Sequence, residues 1–169
     1  SAENSVQVKN SGILKLHNAK FVRNSDNKIV ITSRSAEVTV FDDMGREKER
    51  YKLPYGSILA TDDNAKIVSG QIVASWDPHS HPIIVERGAK VSHSDIDDTN
   101  TEVQQDDLTG LTRTVVKDLS KANAKEPKLI LEMDDGALQE IRLPSFTTIE
   151  VTDGSNVKAG AVSVSYTHL

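Results

Sequence analysis

Short apolar runs alternate with polar residues along most of the chain, with the two-residue period that is typical of β-strands. The runs are rich in valine and isoleucine, and they are separated by glycine, proline, asparagine and aspartate. The best helical candidate, residues 119–124, is short and ends before Pro127. The pattern predicts an all-β fold with little or no helix. The first predicted strands are residues 6–8, 13–16, 29–32 and 38–41.

Segments rich in aspartate, asparagine and glycine stand between the apolar runs. Such residues favour the tight turns that join antiparallel strands. Their regular spacing favours a barrel or a sandwich. The predicted turns are residues 25–27, 42–45, 62–64, 134–136 and 153–155.

An internal repeat relates residues 51–76 to residues 141–166 without a gap, at a constant offset of 90 residues. Trp76 and Tyr166 share one repeat position, which favours a core or domain-edge role over ligand stacking. The repeat predicts two similar β-domains. The identical pairs are Leu53 and Leu143, Pro54 and Pro144, Asp63 and Asp153, Gly70 and Gly160, and Ser75 and Ser165.

The boundaries of the two domains follow from where each copy begins. Gly12 and Gly88 each open an alternating run, which places the copies near residues 12–76 and 82–166. We therefore expect a first domain over residues 1–78 and a second over residues 79–169. The apolar pattern within each copy resembles that of barrel-sandwich hybrid folds.

Charge is concentrated in one place. The net charge is −5, and residues 94–107 carry six carboxylates and no basic residue. We interpret this stretch as a solvated acidic loop linking the domains, because it lacks the glycine and the terminal glutamate of an EF-hand calcium loop. An acidic chain is also a poor surface for neutralising phosphates, so direct contact with nucleic acid is not expected.

Several classes of protein are disfavoured by composition. The absence of cysteine excludes disulfides, a thiol nucleophile and cysteine-bound zinc, and is compatible with a reducing cytoplasm. No apolar run reaches the roughly 20 residues of a membrane-spanning helix, and the first ten residues lack the pattern of a signal peptide. We expect a cytoplasmic protein away from membranes, and a monomer in isolation because no heptad pattern is present.

Two histidines in the segment Asp77-Pro78-His79-Ser80-His81 are the best candidates for metal chemistry. Alternate residues of a strand share one face, so His79 and His81 could bind zinc with help from His93 and Asp95. The favoured interpretation is an exposed, proline-constrained connection in which these side chains face water or a partner. Hydrolase and nucleotide-binding motifs are absent, so we assign no catalytic, cofactor-binding or metal-binding residue.

Candidate partner contacts are assigned in two places. Asp77, His79 and His81 lie in the proline-constrained connection, and Arg46 and Arg50 lie in the charged run 46–52. That run is expected to be a solvated hairpin strand whose cross-strand ion pairs each contribute little.

Separated motifs carry a family resemblance that spans residues 1–164. They occur in the family's order and resemble the lineage-specific insertion in the trigger loop of the β′ subunit of gammaproteobacterial RNA polymerases. The resemblance implies two tandem sandwich-barrel hybrid motifs and includes none of the subunit's catalytic residues. The motifs are SVQVKNSGILKLHN (5–18), KIVITSR (28–34), DMGREKERYKLPYGSIL (43–59), VASWDPHSHPII (73–84) and DDLTGL (106–111).

The resemblance also implies a function. An insertion in the trigger loop moves when that loop closes on the incoming nucleotide, and it is expected to modulate elongation, pausing and transcript cleavage. Its expected partners are the β′ and β subunits of the polymerase core and transcription factors near the secondary channel. The alternative is a protein-interaction module that docks other subunits or transcription factors.

Overall fold

The computed structural model describes residues 4–120 and 125–167. The chain divides into two compact units, Ser1–His79 and Ser80–Leu169. The described residues form eighteen β-strands in four sheets and no helix, and every strand pair is antiparallel. The all-β prediction is confirmed.

The first unit contains nine strands in two sheets. One sheet has the order β1-β9-β7-β4-β3 and the other has the order β6-β5-β2-β8. The strands are β1 (Ser5–Gln7), β2 (Gly12–His17), β3 (Phe21–Arg23), β4 (Ile29–Ile31), β5 (Glu37–Phe41), β6 (Glu47–Lys52), β7 (Ile58–Leu59), β8 (Lys66–Ile67) and β9 (Ile72–Ser75).

The second unit repeats this topology strand for strand. Its sheets have the orders β10-β18-β16-β13-β12 and β15-β14-β11-β17. The strands are β10 (His81–Ile84), β11 (Ala89–Ser94), β12 (Thr101–Gln105), β13 (Thr112–Val116), β14 (Lys128–Met133), β15 (Leu138–Arg142), β16 (Thr148–Ile149), β17 (Asn156–Val157) and β18 (Val162–Tyr166).

Residues shared by the two copies make the same backbone contacts. The Asp63 carboxylate accepts a hydrogen bond from the Leu16 amide at 2.9 Å, and the Asp153 carboxylate accepts one from the His93 amide at 2.8 Å. Gly70 has a φ of 90° and Gly160 one of 87°, a region that disfavours side chains with a Cβ. These positions are identical because the backbone, rather than the core, restricts the residue.

The first copy begins earlier than predicted, because strand β1 precedes residue 12. The second copy begins close to the predicted residue 82, because strand β10 begins at His81. Gly12 lies opposite Ile67, and the residue in the same place opposite Val157 is Ala89, not Gly88. Aligning Gly12 with Gly88 pairs Leu14 with Lys90, whereas a shift of one residue pairs Leu14 with Val91, and both of those side chains are fully buried.

Each unit has its own hydrophobic core. The fully buried side chains include Leu14, Ile31 and Leu59 in the first unit and Val91, Leu129 and Leu131 in the second. Trp76 and Tyr166 are partly buried against the cores of their respective units. Their shared repeat position therefore corresponds to a role at the edge of the core.

The interpretation of residues 94–107 as a solvated linker is wrong. Residues 101–105 form strand β12 of the second unit, and the preceding loop folds around Asn100. This buried side chain donates to the Asp95 carbonyl oxygen at 2.6 Å and accepts from the Asp97 amide at 3.0 Å. The stretch looks like a linker in sequence because β12 is an edge strand, where charged side chains remain in water.

The Asp97 carboxylate fixes the same loop electrostatically. The Lys125 ammonium lies 2.6 Å from it, and hydrogen bonds from the Thr99 hydroxyl and amide add to the effect. Together they hold the pKa of Asp97 well below its usual range. In the best helical candidate, residues 119–124, Leu119 and Ser120 lie in no regular element, and residues 121–124 lie outside the described part of the chain.

A strained turn distinguishes the second unit. Phe146 has a φ of 71°, whereas the first unit has Gly56 with a φ of 86° at the same place. The two amides make matching hydrogen bonds, to the carbonyl oxygens of Val116 and Ile31. A bulky residue in this region is a backbone outlier.

We expect Phe146→Gly to stabilise the protein by about 0.5–1 kcal/mol in urea denaturation, because relief of backbone strain of order 1–2 kcal/mol outweighs the entropy of the glycine. Phe146 is 56% exposed, so less than half of its surface is buried and would be lost in this change. The matched change Gly56→Ala is expected to destabilise. A lower midpoint for Phe146→Gly would show that the ring's packing matters more than its backbone strain.

Candidate protein-interaction surface

The hairpin formed by β12 and β13 carries the most exposed apolar side chains of the second unit. The two strands pair in continuous register from Thr101 opposite Val116 to Gln105 opposite Thr112. The loop between them, residues 106–111, is named here the leucine tip. Strand β12 ends its sheet and pairs only with β13, so the leucine tip lies at the end of an edge hairpin.

The leucine tip is closed by its own hydrogen bonds. The Asp106 amide donates to the Leu111 carbonyl oxygen at 2.9 Å, and the Gly110 amide donates to the Asp106 carbonyl oxygen at 2.8 Å. The Asp106 carboxylate also accepts from the amides of Leu108 and Thr109. Gly110 has a φ of 73°, which allows the chain to turn back into β13. The loop thus has a defined shape of its own.

This shape directs apolar side chains into water. Leu108 is 97% exposed and Leu111 is 71% exposed, and Val103 on the adjoining strand is 70% exposed. A single exposed apolar residue is ordinary, but a concentration of them on one hairpin marks an interaction surface.

The loop of the equivalent hairpin in the first unit has no apolar side chain. Between β3 and β4 the loop reads Asn24-Ser25-Asp26-Asn27-Lys28. The Asn24 side-chain oxygen accepts from the amides of Asp26 and Lys28, both at 3.0 Å, much as Asp106 does in the leucine tip. The fold therefore builds this turn equally well from polar residues.

Acidic side chains outnumber basic ones on the hairpin that carries the leucine tip. Glu102, Asp106 and Asp107 stand on the hairpin against one basic residue, Arg113. Arg113 contacts the side-chain oxygen of Gln104 at 3.4 Å. The surface therefore combines exposed leucines with a negative rim.

Comparison with known proteins identifies the family. No family model matches the chain. It is 74% identical over 162 residues to the DNA-directed RNA polymerase subunit beta' of Pseudoalteromonas atlantica, and 67% identical over 162 residues to that of Pseudoalteromonas translucida. It is 50% identical over 147 residues to the same subunit of Shewanella amazonensis.

This chain belongs to the RNA polymerase β′ subunit family. The two Pseudoalteromonas matches cover 96% of the chain but only 12% of each relative, and the Shewanella match covers 85% of the chain and 10% of the relative. The β′ segment therefore corresponds to a small part of a much longer subunit. The resemblance seen in the sequence motifs is confirmed at this level.

The arginines predicted as partner contacts of the β′ segment are held by carboxylates. Arg46 lies 3.0 Å from the Asp42 carboxylate at the turn between β5 and β6. Arg50 lies 2.6 Å from Glu47 and 3.2 Å from Glu37. Both side chains are exposed enough to meet a partner, and their role as contacts stays a prediction.

The other predicted contacts lie in the connection between the units. The Asp77 carboxylate accepts a hydrogen bond from the His79 amide at 2.8 Å, which forms a turn. His79 precedes strand β10, which begins at His81. The zinc hypothesis required both histidines on one strand face, and this geometry is not present. His93 instead donates from its ring to the Val151 carbonyl oxygen at 3.0 Å.

The part of the chain that the structure describes contains neither a cluster of metal ligands nor a membrane-spanning helix. Within residues 4–120 and 125–167, no group of three or more histidine, aspartate or glutamate side chains is arranged to hold a metal ion. In the same residues there is no helix long and apolar enough to cross a membrane.

Sequence reasoning did not identify the leucine tip as a site. The motif DDLTGL contributed only to the family resemblance, and no role was predicted for its two leucines. A signal was present, because Val103 lies within the acidic stretch 94–107 and the two leucines follow directly after it.

Proposed function

We propose that the β′ segment is a non-catalytic insertion that modulates the movement of the trigger loop, and thereby elongation, pausing and transcript cleavage. The observation that carries the proposal is the match of nearly the whole chain to a limited part of β′ subunits. Each of the two β-units has its own core, which suits an insertion whose units keep their fold while the loop moves. The match identifies the subunit, whereas the position of the segment in the trigger loop is inferred from the resemblance of its sequence motifs.

The mechanism is a shift in population. A contact made in only one state of the trigger loop changes the ratio of folded to unfolded loop by its differential free energy. A contribution of about 1.4 kcal/mol changes that ratio about tenfold. A few side chains on a β-hairpin are enough for an effect of this size.

The proposal assigns no catalytic or cofactor-binding residue to the segment. Nucleotide transfer belongs to the rest of the polymerase, and the partners of the segment are the β′ and β subunits together with transcription factors near the secondary channel. The cytoplasm, where such a polymerase works, is the proposed location.

A deletion tests this function. Polymerase is reconstituted with full-length β′ and with β′ lacking residues 1–164, the flanking ends being joined by a short linker. We expect altered pause lifetimes and cleavage rates with basal nucleotide addition preserved, because the segment biases the loop without supplying chemistry. Unchanged pausing, elongation and cleavage would contradict modulation of the loop.

A second candidate function is protein docking without an effect on the loop. The exposed leucines of the leucine tip favour it. The same deletion distinguishes the two functions, since a docking module would change the response to a bound factor and leave the kinetics of the polymerase alone unchanged.

A further inference from the structure

We propose that the leucine tip is a docking element that inserts Leu108 and Leu111 into an apolar pocket bordered by lysine or arginine side chains, on the surface of the polymerase that carries the segment. The inference deepens the proposed function and rests on it for the identity of the surrounding enzyme. Four observations on the hairpin lead to it.

The first observation is the contrast between the two copies of the fold. The β3–β4 loop and the β12–β13 loop both use a side-chain oxygen, of Asn24 and of Asp106, to accept amides of the turn. Only the second loop carries leucines. Because the fold does not require them and water disfavours them, their presence points to a partner.

The second observation is that the leucine tip is ordered before it binds. The hydrogen bonds of Asp106, Gly110 and Thr109 define the backbone on which both leucines stand. A preformed loop loses little conformational freedom on docking, so more of the contact energy appears as affinity.

The third observation is charge. Asp107 is exposed beside Leu108, and Glu102 lies on the same hairpin. This negative rim complements lysine or arginine around a pocket and repels an acidic surface. It also argues against the phosphates of DNA or RNA as the occupant.

The fourth observation is size. Two leucines and Val103 present a contact much smaller than the about 1,200 Å² that stable complexes of separate proteins bury. A tethered surface needs far less, because a covalent connection raises the effective concentration of the partner. The β′ relatives extend well beyond this segment, which supplies the tether and favours the same polymerase as the occupant.

Photo-crosslinking within the intact enzyme tests the proposal. A benzophenone amino acid is placed at position 108 of full-length β′, and in a matched enzyme at position 26, in the equivalent loop of the first unit. We expect position 108 to crosslink to a polymerase surface containing lysine or arginine, at a yield well above that of position 26. Equal yields, or crosslinks only to a second polymerase molecule or to a separate factor, would overturn the proposal.

Substitution gives the functional readout. The double change Leu108→Ser and Leu111→Ser is expected to remove most of the change in pause lifetime that separates the full-length enzyme from the deleted one. Leu138→Ser is the matched control, since Leu138 is a 64% exposed leucine on β15 of the same unit. Retention of the full effect by the double variant would contradict docking through the leucine tip.

The rim is tested by charge reversal. Asp107→Lys is expected to lower the crosslinking yield from position 108, and Asp26→Lys, in the loop of the first unit, is expected to leave it unchanged. An equal crosslinking yield from position 108 with and without Asp107→Lys would exclude lysine or arginine side chains at the border of the pocket. If deletion alters pausing while the leucine variants do not, the proposed function stands and this inference fails. If position 108 crosslinks specifically while deletion leaves pausing unchanged, docking stands and loop modulation fails.

Discussion

Replacing Gly12 by alanine is expected to lower the free energy of unfolding by about 2–3 kcal/mol, a large loss for an exchange of hydrogen for methyl. A Cβ at Gly12 would lie 2.1 Å from the Phe41 carbonyl oxygen and 3.0 Å from its carbonyl carbon. Both are backbone atoms of β5, which pairs with β2 along five residues. The clash is relieved only by moving one strand away from the other.

Gly88→Ala is the matched control. Its nearest neighbour would be the Val157 carbonyl oxygen at 3.6 Å, an ordinary contact, so we expect a change between zero and a gain of about 0.5 kcal/mol. Urea denaturation measures both variants, and hydrogen exchange of the β2 and β5 amides locates the loss. Equal stabilities for the two variants would show that Gly12 and Gly88 are equivalent after all.

The repeat was visible in the sequence only where loop lengths agree. From Leu53 onward, corresponding residues of the two copies are 90 residues apart, because the loops between their strands have equal lengths. Backbone geometry also restricts Asp63 and Gly70, so these residues are the same in both copies. Further upstream Asn18 corresponds to Asp95, Asn27 to Gly110 and Gly45 to Gly136 by their positive φ. The offset therefore rises from 77 to 83 to 91, which hides the relationship from a gapless alignment.

Strand prediction succeeded where apolar and polar residues alternate over several positions, as in β2 and β5. It failed for β12, since an edge strand can carry glutamate and glutamine in water while its backbone still pairs. Two-residue strands such as β7 (Ile58–Leu59) are too short to show a period. Their pairing is decided by the rest of the sheet.

The candidate site shows the same limit. An apolar residue in a strand-rich sequence is expected in a core, and only the tertiary structure shows that nothing within the described second unit covers Leu108. Conversely, Arg46 and Arg50 are predicted from the sequence as partner contacts in a run that forms ion pairs, and only the structure shows which carboxylates hold each of them. Exposure and pairing depend on neighbours that are distant in sequence or determined by the strand register.

Glu49→Gln is expected to destabilise the first unit by about 1–2 kcal/mol at neutral pH. One carboxylate oxygen of Glu49 accepts from the Lys9 amide at 2.9 Å and from the Tyr51 hydroxyl at 2.6 Å, and the other accepts from the Asn10 amide and side chain. The side-chain NH2 group of glutamine would replace one of the two carboxylate oxygens. It would then face two hydrogen-bond donors and could accept from neither. Partial exposure to water reduces the loss below the sum of four charged hydrogen bonds.

The two titrating groups of this cluster set the pH range of the effect. Burial raises the pKa of Glu49, but the hydrogen bonds from Tyr51, Lys9 and Asn10 outweigh it and hold the pKa below 4.5. The stabilisation is therefore present above pH 4.5 and is lost as pH falls through the lowered pKa. The hydrogen bond to Glu49, followed by burial, raises the pKa of Tyr51 to about 12.

Because the pKa of Tyr51 is raised, its contribution is complete below its ordinary value of 10.0 and is lost as pH rises towards about 12. The stability difference between wild type and Glu49→Gln should thus be largest between these limits and should narrow at both ends. Tyrosinate absorbance, with Tyr51→Phe to assign the signal, should show the Tyr51 pKa falling towards 10.0 in the variant. Glu47→Gln, which removes an exposed ion pair with Arg50, should leave that titration unchanged. An unchanged Tyr51 pKa in Glu49→Gln would mean that burial alone raises the pKa of Tyr51.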